Sequence, residues 1–319
     1  MAWNADDVPD QTGRRFVVTG ANSGIGFEAT KVLAREGAEV VMGCRSTERG
    51  KDAAEEIRRE VDGASVVVEE LDLASLESVR KFAERMTGED GDKEIDVLIN
   101  NAGVMAIPRR ETEDGFETQF GVNHLGHFAL TGLLLDSVAD GGRVVTVSSD
   151  LHSRGEMEFD DLHGEGSYGK WDAYSQSKLA NLLFAYELDR RLRAAGSGIK
   201  SIGVHPGYAD TNLQRRGPEM AGSRIRKSMM TVANRLFAQS SEAGALPTLY
   251  AATSPDAESG EYYGPSGFMR MRGSPEKQRS SGASYDEDDA RRLWEVSEEL
   301  TGVEYDLPVP ASVETTETE

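Results

Sequence analysis

The sequence has a single cysteine, few lysines and no long apolar run. Cys44 is the only thiol, so an internal disulfide is excluded and the chain fits a reducing cytoplasm. The sequence contains no stretch of about 18 apolar residues, so a membrane-spanning helix is not predicted. The first residues also lack the basic segment and apolar core of a secretory signal. We therefore expect a cytoplasmic protein.

Positive charge is scarce as well. The chain has 56 acidic residues against 35 basic ones, of which 9 are lysines, and its formal net charge is −21. Because such a surface repels phosphate backbones, a nucleic-acid partner is not expected. Two interpretations of the acidity stay open. One is an ordinary solvated surface with an acidic tail, and the other is a halophilic protein, in which salt screens the repulsion between carboxylates.

Short apolar runs alternate with longer amphipathic ones from residue 15 onward. This alternation is typical of βαβ units. It predicts an α/β fold with a single doubly wound Rossmann domain, in which a seven-stranded, mostly parallel sheet is flanked by helices on both faces. The domain is predicted over 1–302, and residues 303–319 are predicted to be an acidic, disordered tail.

The individual elements follow from the same patterns. The predicted strands are Arg15–Thr19, Glu39–Gly43, Ser65–Glu70, Asp96–Asn100, Arg143–Ser148, Lys200–Val204 and Glu261–Tyr263. The predicted helices lie near 24–36, 47–61, 75–87, 114–139, 172–195, 240–253 and 286–300.

A glycine-rich turn, TGANSGIG (19–26), joins the first predicted strand to the first helix. Glycine permits a tight turn there and lets the backbone approach a pyrophosphate, which the helix amino end attracts. The turn therefore predicts a dinucleotide site that includes Gly20, Gly24 and Gly26.

The second predicted strand indicates which dinucleotide binds. NAD sites commonly place an acid at the carboxyl end of this strand to bind the ribose 2′-hydroxyl. Here that end reads Met42-Gly43-Cys44-Arg45, without an acid. Since a guanidinium binds phosphate well, Arg45 suits a 2′-phosphate instead. NADP(H) is favoured over NAD(H).

Two further segments end predicted strands at the same edge of the sheet. LDL ends the third strand, and NNAG ends the fourth. The adenine and ribose are expected to lie against their residues, which include Asp72, Leu73, Asn100, Ala102 and Gly103.

Tyr174 and Lys178 lie on one face of a predicted helix, four residues apart. A nearby ammonium lowers the pKa of a phenol, so we expect Lys178 to tune Tyr174 for proton transfer. A serine at the end of the strand RVVTVSS is placed to hydrogen-bond a substrate oxygen. Ser149 and Ser148 both fit this position, because strand neighbours point to opposite faces.

The histidines do not predict a metal site. His124 and His127 are three residues apart on a probable helix, but no third ligand has suitable spacing.

Together these segments resemble the short-chain dehydrogenase/reductase family. The residues that carry the resemblance are TGANSGIG, NNAG, the serine pair, YSQSK and HPG (205–207), which occur in the family's order. The segments VNHLGHF (122–128), VSSDLHSRG (147–155), AYSQSKLANLLFAYEL (173–188) and RRLWEVSEELTG (291–302) are most similar to its retinol dehydrogenase-like group. The resemblance covers roughly 13–302. It implies a hydride transfer between nicotinamide and an alcohol, aldehyde or ketone.

The resemblance also implies roles for individual residues. Tyr174 would be the general acid/base, Lys178 would bind the nicotinamide ribose, and Asn123 would position a water for proton relay. Ser149 would hold the substrate oxygen, because in this group the serine precedes the tyrosine by 25 residues, as Ser149 does here. Cofactor contacts are implied for Gly20, Ser23, Ile25, Asp72, Asn100, Pro206, Gly207 and Thr211. Membrane-bound members carry an amino-terminal apolar anchor that this sequence does not show, so retinol itself is not implied as the substrate.

The resemblance implies that residues 212–237 cover the substrate as a lid, and a solvated pair of amphipathic helices stays open as the alternative. These residues combine six basic residues with methionines that suit an adaptable apolar wall, so a small apolar substrate is expected. Contact of the basic residues with an anionic membrane surface or an acidic substrate stays open, as does a homo-oligomer. Two other functions also stay open: a catalytically silent dinucleotide-binding regulator and a reductase of conjugated carbon–carbon double bonds.

Overall fold

The computed structural model describes residues 2–88, 94–207, 240–267 and 270–310. The strands are β1 Arg15–Thr19, β2 Glu39–Cys44, β3 Ser65–Glu70, β4 Ile95–Asn100, β5 Val138–Val147, β6 Lys200–Val204, β7 Tyr262–Pro265 and β8 Pro275–Gln278. The helices are α1 Gly24–Arg35, α2 Thr47–Glu60, α3 Leu76–Thr87, α4 Thr118–Phe120, α5 Gly126–Leu134, α6 Lys170–Ala194, α7 Ser241–Thr253 and α8 Glu287–Thr301. A π-helical turn, Gly121–Leu125, connects α4 to α5.

The strands form one sheet in the order β3-β2-β1-β4-β5-β6-β7-β8. The pairings from β3 through β7 are parallel, and β8 pairs antiparallel with β7. The winding reverses between β1 and β4, and a doubly wound sheet opens its ligand cleft at the carboxyl ends of such strands. The predicted α/β fold with helices on both faces is confirmed.

The central strands are apolar throughout because both of their faces are covered. Val17 of β1 and Leu98 of β4 pack with Phe128 of α5 on one face. Phe16 and Ile99 pack with residues of α1, α2 and α7 on the other face. Two apolar layers therefore hold the strand ends that carry the cleft.

The described residues form eight strands where seven were predicted. The additional strand, β8, has the sequence PEKQ and lies at the edge of the sheet. Edge strands of this polar kind show no alternation of apolar residues, so the pattern did not reveal it.

The helix predicted over 114–139 is shorter and is interrupted. The Glu117 side chain accepts a hydrogen bond from Phe120 N, so the helix begins after Glu117. The helix ends at Leu134, and the chain is already in β5 at Val138. At Gly126, a Cβ atom would lie 2.5 Å from the Leu73 main-chain oxygen, so glycine permits this helix to approach the cleft closely.

The carboxyl-terminal helix α8 covers α5 and α6. Trp294 is buried and packs against Phe128, with ring centroids 5.2 Å apart. Tyr305 is also buried, and its hydroxyl donates to Phe128 O at 2.6 Å. The predicted start of the disordered tail at 303 is therefore wrong, because Val303 and Tyr305 belong to the core. Residues 311–319 lie outside the described part, and the division into one domain and a tail otherwise stays a prediction.

Among the described residues, every helix is too short or too polar to cross a lipid bilayer.

Candidate active site

A cleft opens at the carboxyl ends of the central strands. It brings together thirteen of the residues predicted to bind cofactor or substrate, and these are Gly20, Ser23, Gly24, Ile25, Gly26, Arg45, Asp72, Leu73, Ala102, Gly103, Tyr174, Lys178 and Pro206.

The glycine-rich turn packs closely against the NNAG turn. Asn101 Nδ2 donates to Thr19 O at 2.7 Å. A Cβ atom on Gly26 would lie 2.5 Å from that nitrogen, so glycine is required for this approach. Ser23 precedes α1 and makes no side-chain bond to the helix end. The amino end of α1 thus faces the cleft, where it favours an anion.

Two arginines line the cleft where β2 leads into α2. Arg45 was predicted there, but Arg49 was not. Both are exposed, and Ser46 lies between them at the amino end of α2, where its hydroxyl accepts from Arg49 N. The signal in the sequence was the interval of four residues, which puts Arg49 in the first turn of the helix that follows Arg45.

Tyr174 and Lys178 meet in the cleft on α6. Both are about 4% exposed, and Lys178 Nζ lies 5.9 Å from the centre of the Tyr174 ring. Burial raises the pKa of Tyr174 to about 12, and a hydrogen bond from the Ser149 hydroxyl opposes this shift. Burial also lowers the pKa of Lys178 to about 8. The expected net lowering of the Tyr174 pKa is therefore wrong for this structure, because loss of solvent dominates and only the Ser149 hydrogen bond opposes it.

The two candidate serines have different surroundings. The Ser149 hydroxyl reaches the Tyr174 phenol, and it also accepts from Leu151 N at 3.3 Å. The Ser148 hydroxyl is buried and donates to Lys178 O at 2.7 Å, which ties β5 to α6. Ser148 is among the residues that line the cleft, and Ser149 is not. Ser149 is nevertheless the serine whose hydroxyl meets the Tyr174 phenol, which makes it the candidate to share a substrate oxygen with Tyr174.

Asn123 lies on the π-helical turn and is completely buried. Its Oδ1 accepts from Val104 N at 2.8 Å, and its Nδ2 donates to Val104 O and Ser177 Oγ, each at 2.9 Å. The side chain therefore fixes Val104, which lines the cleft. Positioning of a relay water by Asn123 stays a prediction.

Some predicted residues do not line the cleft. Asn100 is buried, and its Nδ2 donates to Thr131 Oγ1 at 2.9 Å. Gly207 has a φ of 68° and follows Pro206 in the HPG turn. Thr211 and the lid at 212–237 lie outside the described residues.

Sequence reasoning also missed three residues that support the loop beside the cleft. Gln119 Oε1 accepts from Ala106 N at 2.6 Å, and its Nε2 donates to the Tyr168 hydroxyl at 2.8 Å. That hydroxyl lies 3.0 Å from Glu117 Oε1. No motif distinguishes these side chains, so only the fold reveals their role.

In the ranges that the structure describes, His, Cys, Asp and Glu side chains form no group of three that could bind a metal ion.

Three of the four buried histidines have strongly lowered pKa values, and these three predict a pH-dependent stability. Burial lowers the pKa of His124 to about 3 and the pKa values of His127 and His205 to about 4. The folded state therefore keeps these imidazoles neutral. Their contribution to the free energy of unfolding is complete above the unfolded pKa of about 6.5 and is lost as the pH falls towards about 4. Between about pH 7 and pH 5, each histidine should reduce the free energy of unfolding by about 2 kcal/mol.

Urea unfolding at the two pH values measures this loss. The His124→Phe variant serves as the comparison because it lacks one of the three titrating groups. Its stability should depend less on pH than that of the parent, and an equal dependence in the two proteins would contradict the assignment.

Comparisons with known proteins agree with this geometry. The family model described as short chain dehydrogenase matches residues 14–221. Human retinol dehydrogenase 14 is 41% identical over 308 residues, which cover 91% of this chain and 87% of that protein. Human retinol dehydrogenase 13 is 42% identical over 297 residues, with 92% and 86% covered.

Solved structures show the same architecture. A protein from Mycobacterium paratuberculosis shares 43% identity with a TM-score of 0.79, and the match covers 96% of this chain and 99% of that one. A structure with bound NADP, from Beutenbergia cavernae, shares 28% identity with a TM-score of 0.59 and covers 78% of this chain and 92% of that one.

Proposed function

The chain belongs to the short-chain dehydrogenase family and is an oxidoreductase of CH–OH and C=O groups, and we propose that it uses NADP(H) to reduce a small apolar aldehyde or ketone. The family and the retinol dehydrogenase-like group are those expected from the motifs. The observation that carries the proposal is the buried Tyr174–Lys178 pair, with the Ser149 hydroxyl on Tyr174, at the edge of a dinucleotide cleft.

The residues of the cleft suit a dinucleotide. The amino end of α1 would suit the pyrophosphate. Asp72 and Gly103 line the same cleft, where they would contact the adenosine half and the nicotinamide half. When bound, the nicotinamide supplies the hydride. Lys178 and Tyr174 line the same cleft, so their side chains are placed to hold the ribose next to the reacting carbonyl.

Proton transfer is the task of Tyr174. Its phenol would donate a proton to the carbonyl oxygen, while the Ser149 hydroxyl hydrogen-bonds that oxygen and stabilises the charge that develops on it. The cationic form of Lys178 would favour the phenolate that remains. Asn123 would hold the water that returns a proton to the site.

The pKa of Tyr174 favours reduction. Because burial raises this pKa to about 12, the phenol stays protonated at neutral pH and is ready to act as an acid. Alcohol oxidation needs the phenolate and would therefore become faster at alkaline pH.

Two arginines support the preference for NADP(H). Arg45 and Arg49 place two guanidinium groups in the part of the cleft that follows β2, where no acid ends the strand. Two cations of this kind suit a phosphate and have no counterpart on a bare ribose hydroxyl.

Replacing Arg45 or Arg49 with alanine should raise the Kd for NADPH by about ten- to a hundredfold, since each variant loses a charge-assisted bond. The Kd for NADH should change by less than about threefold. Arg59→Ala is the control because Arg59 is an exposed arginine at the far end of α2. Fluorescence titration measures these values, and equal losses for NADPH and NADH would contradict the 2′-phosphate site.

Apolar side chains in the cleft and beside Tyr174 support an apolar substrate. Val104 and Val122 line the cleft. Trp171 is 47% exposed, and its ring is perpendicular to the Tyr174 ring with centroids 6.4 Å apart. An exposed indole this close to the phenol offers an apolar surface to a substrate carbon chain.

A substrate panel tests the function directly. The panel contains straight-chain aldehydes, aryl ketones, conjugated enones and all-trans-retinal, which is included because the relatives are named retinol dehydrogenases. Oxidation of NADPH with formation of an alcohol supports the proposal. A saturated carbonyl product would indicate a double-bond reductase, and tight NADPH binding without turnover of any compound would indicate a silent regulator.

The acidic composition supports adaptation to high salt. The net charge of −21 gives strong repulsion between carboxylates in dilute buffer, and salt screens it. We expect the melting temperature and kcat to rise together between dilute buffer and molar KCl. Sucrose at matched osmolality is the control because it does not screen charge, and full activity and stability without salt would contradict the proposal.

The location and partners belong to the same proposal. A cytoplasmic location agrees with a single cysteine that is buried, and burial raises the pKa of its thiol to about 11. Membrane contact by 212–237 and a homo-oligomer stay open. Co-sedimentation with anionic vesicles at low salt tests the membrane contact.

A further inference from the structure

His127 lies on α5, one helical turn after Asn123, and is 2% exposed. Its two ring nitrogens have different partners. Nδ1 lies 3.0 Å from the Asn123 main-chain oxygen, and Nε2 lies 2.9 Å from Thr19 Oγ1. The imidazole therefore connects the turn that carries Asn123 with the end of β1, where the glycine-rich turn begins.

The partners determine which nitrogen carries the proton. A carbonyl oxygen only accepts hydrogen bonds, so Nδ1 must donate to Asn123 O. Burial, together with the charge of Lys178, lowers the pKa of His127 to about 4, so the ring is neutral at pH 7. Nε2 is then an acceptor, and the Thr19 hydroxyl donates to it.

Thr19 extends this hydrogen-bond network to the NNAG turn. Its Oγ1 accepts from Asn101 N and from Ala102 N, each at 2.9 Å. The hydroxyl proton goes to His127, because the other acceptor in reach, Ile99 O, is farther away at 3.4 Å. One continuous chain of bonds thus runs from the NNAG turn through Thr19 and His127 to Asn123.

We propose that His127 is a positioning residue of the active site: as a neutral ring protonated at Nδ1, it holds the Asn123 carbonyl in register with the two turns that bind the dinucleotide. The inference rests on the proposed function, because it assigns His127 a part in the same reaction. It concerns a side chain that does not line the cleft and acts only through Asn123 and Thr19.

The backbone around Asn123 explains why such support is needed. Gly126 N bonds to Gly121 O in the π-helical turn, so this segment lacks the regular bonding of an α-helix. A side chain that bonds the carbonyl four residues before it can hold such a distortion in place. Asn123 in turn fixes Val104 in the cleft, so its displacement would change the geometry in which the substrate and Tyr174 meet.

Three substitutions at His127 distinguish the effect of its bond to Asn123 O from that of its bond to Thr19 Oγ1. His127→Phe keeps an aromatic ring and removes both bonds. Asparagine can place a donor near the position of Nδ1, and glutamine can place an acceptor near the position of Nε2. We expect kcat to fall by about tenfold or more in His127→Phe, with the Kd for NADPH within about threefold, and we expect His127→Asn to retain more activity than His127→Gln.

His124→Phe is the matched control. His124 lies on the π-helical turn that carries Asn123 and is as deeply buried as His127, but its Nε2 bonds Ser297 Oγ of α8. The same change at His124 should lower stability and leave kcat within about twofold of the parent. Equal losses of kcat in the two phenylalanine variants would overturn the positioning role.

Nitrogen-15 NMR of the unmodified protein tests the inference without any variant. It should show a neutral His127 ring with the proton on Nδ1, although free histidine prefers the proton on Nε2. A proton on Nε2 would overturn the inference. Loss of activity in Tyr174→Phe together with a fully active His127→Phe would refute only this inference, whereas an active Tyr174→Phe would refute the proposed function.

Discussion

Tyr174→Phe is expected to lower kcat by about a thousandfold for the fastest carbonyl substrate, while the Kd for NADPH changes by less than about threefold. The substitution removes only the hydroxyl that would donate the proton. The ring is buried and packs against Trp171, and phenylalanine preserves this packing. Pre-steady-state measurement of NADPH oxidation and fluorescence titration give the two values.

Tyr186→Phe provides the matched control for this prediction. Tyr186 lies on the same helix and is buried to the same degree, but its hydroxyl bonds Ser280 Oγ at 2.8 Å, away from the cleft. Its loss should reduce stability by about 1 kcal/mol and leave kcat nearly unchanged. If Tyr174→Phe were as active as Tyr186→Phe, proton transfer by Tyr174 would be ruled out.

Ser149→Ala is expected to lower kcat by about a hundredfold, because it removes a hydrogen bond that the charge on the substrate oxygen would strengthen. Stability should change little, since the Ser149 side chain accepts only a 3.3 Å bond from Leu151 N and contacts the Tyr174 phenol. The rate of NADPH oxidation and the midpoint of urea unfolding separate the two effects.

Ser148→Ala should lower stability more, and kcat less, than Ser149→Ala does. It removes the bond from the buried Ser148 hydroxyl to Lys178 O, which should cost about 1 kcal/mol of stability, and kcat should fall by less than about tenfold. A greater loss of kcat in Ser148→Ala than in Ser149→Ala would reverse the assignment of the two serines.

The contrast between these serines illustrates what the sequence could predict. The strand RVVTVSS predicted that a hydroxyl would leave the sheet near the cleft, but alternation along a strand does not say which one. The structure separates them because Ser148 bonds the backbone of α6 and Ser149 meets Tyr174. The interval of 25 residues to Tyr174 selected the same serine only through the family resemblance.

Other features were missed for physical reasons. The interval of four residues from Arg45 was the only signal for Arg49, and it was not enough, because one exposed arginine on a polar helix face resembles any other until the fold places it in the same cleft as Arg45. β8 was missed because its PEKQ sequence has no apolar period. Tyr305 was assigned to a tail on composition, although it is buried against Phe128 of α5, which is far away in sequence.

The pKa of Tyr174 depends on a property that spacing along the sequence cannot predict. The i and i+4 spacing correctly placed Lys178 near the phenol, with 5.9 Å between Nζ and the ring centre. Spacing along a helix does not report how deeply that face is buried. Burial then raised the pKa that proximity alone was expected to lower.

We propose that a hydride passes in this cleft from NADPH to a carbonyl carbon while Tyr174 donates the proton. NADPH deuterated at C4 of the nicotinamide tests it most directly, with the alcohol product analysed by mass spectrometry. We predict one deuterium on the carbinol carbon with the unmodified enzyme and almost no labelled alcohol with Tyr174→Phe. Deuterium on the β-carbon of a saturated product that keeps its carbonyl, or NADPH oxidation that leaves every organic product unlabelled, would overturn it.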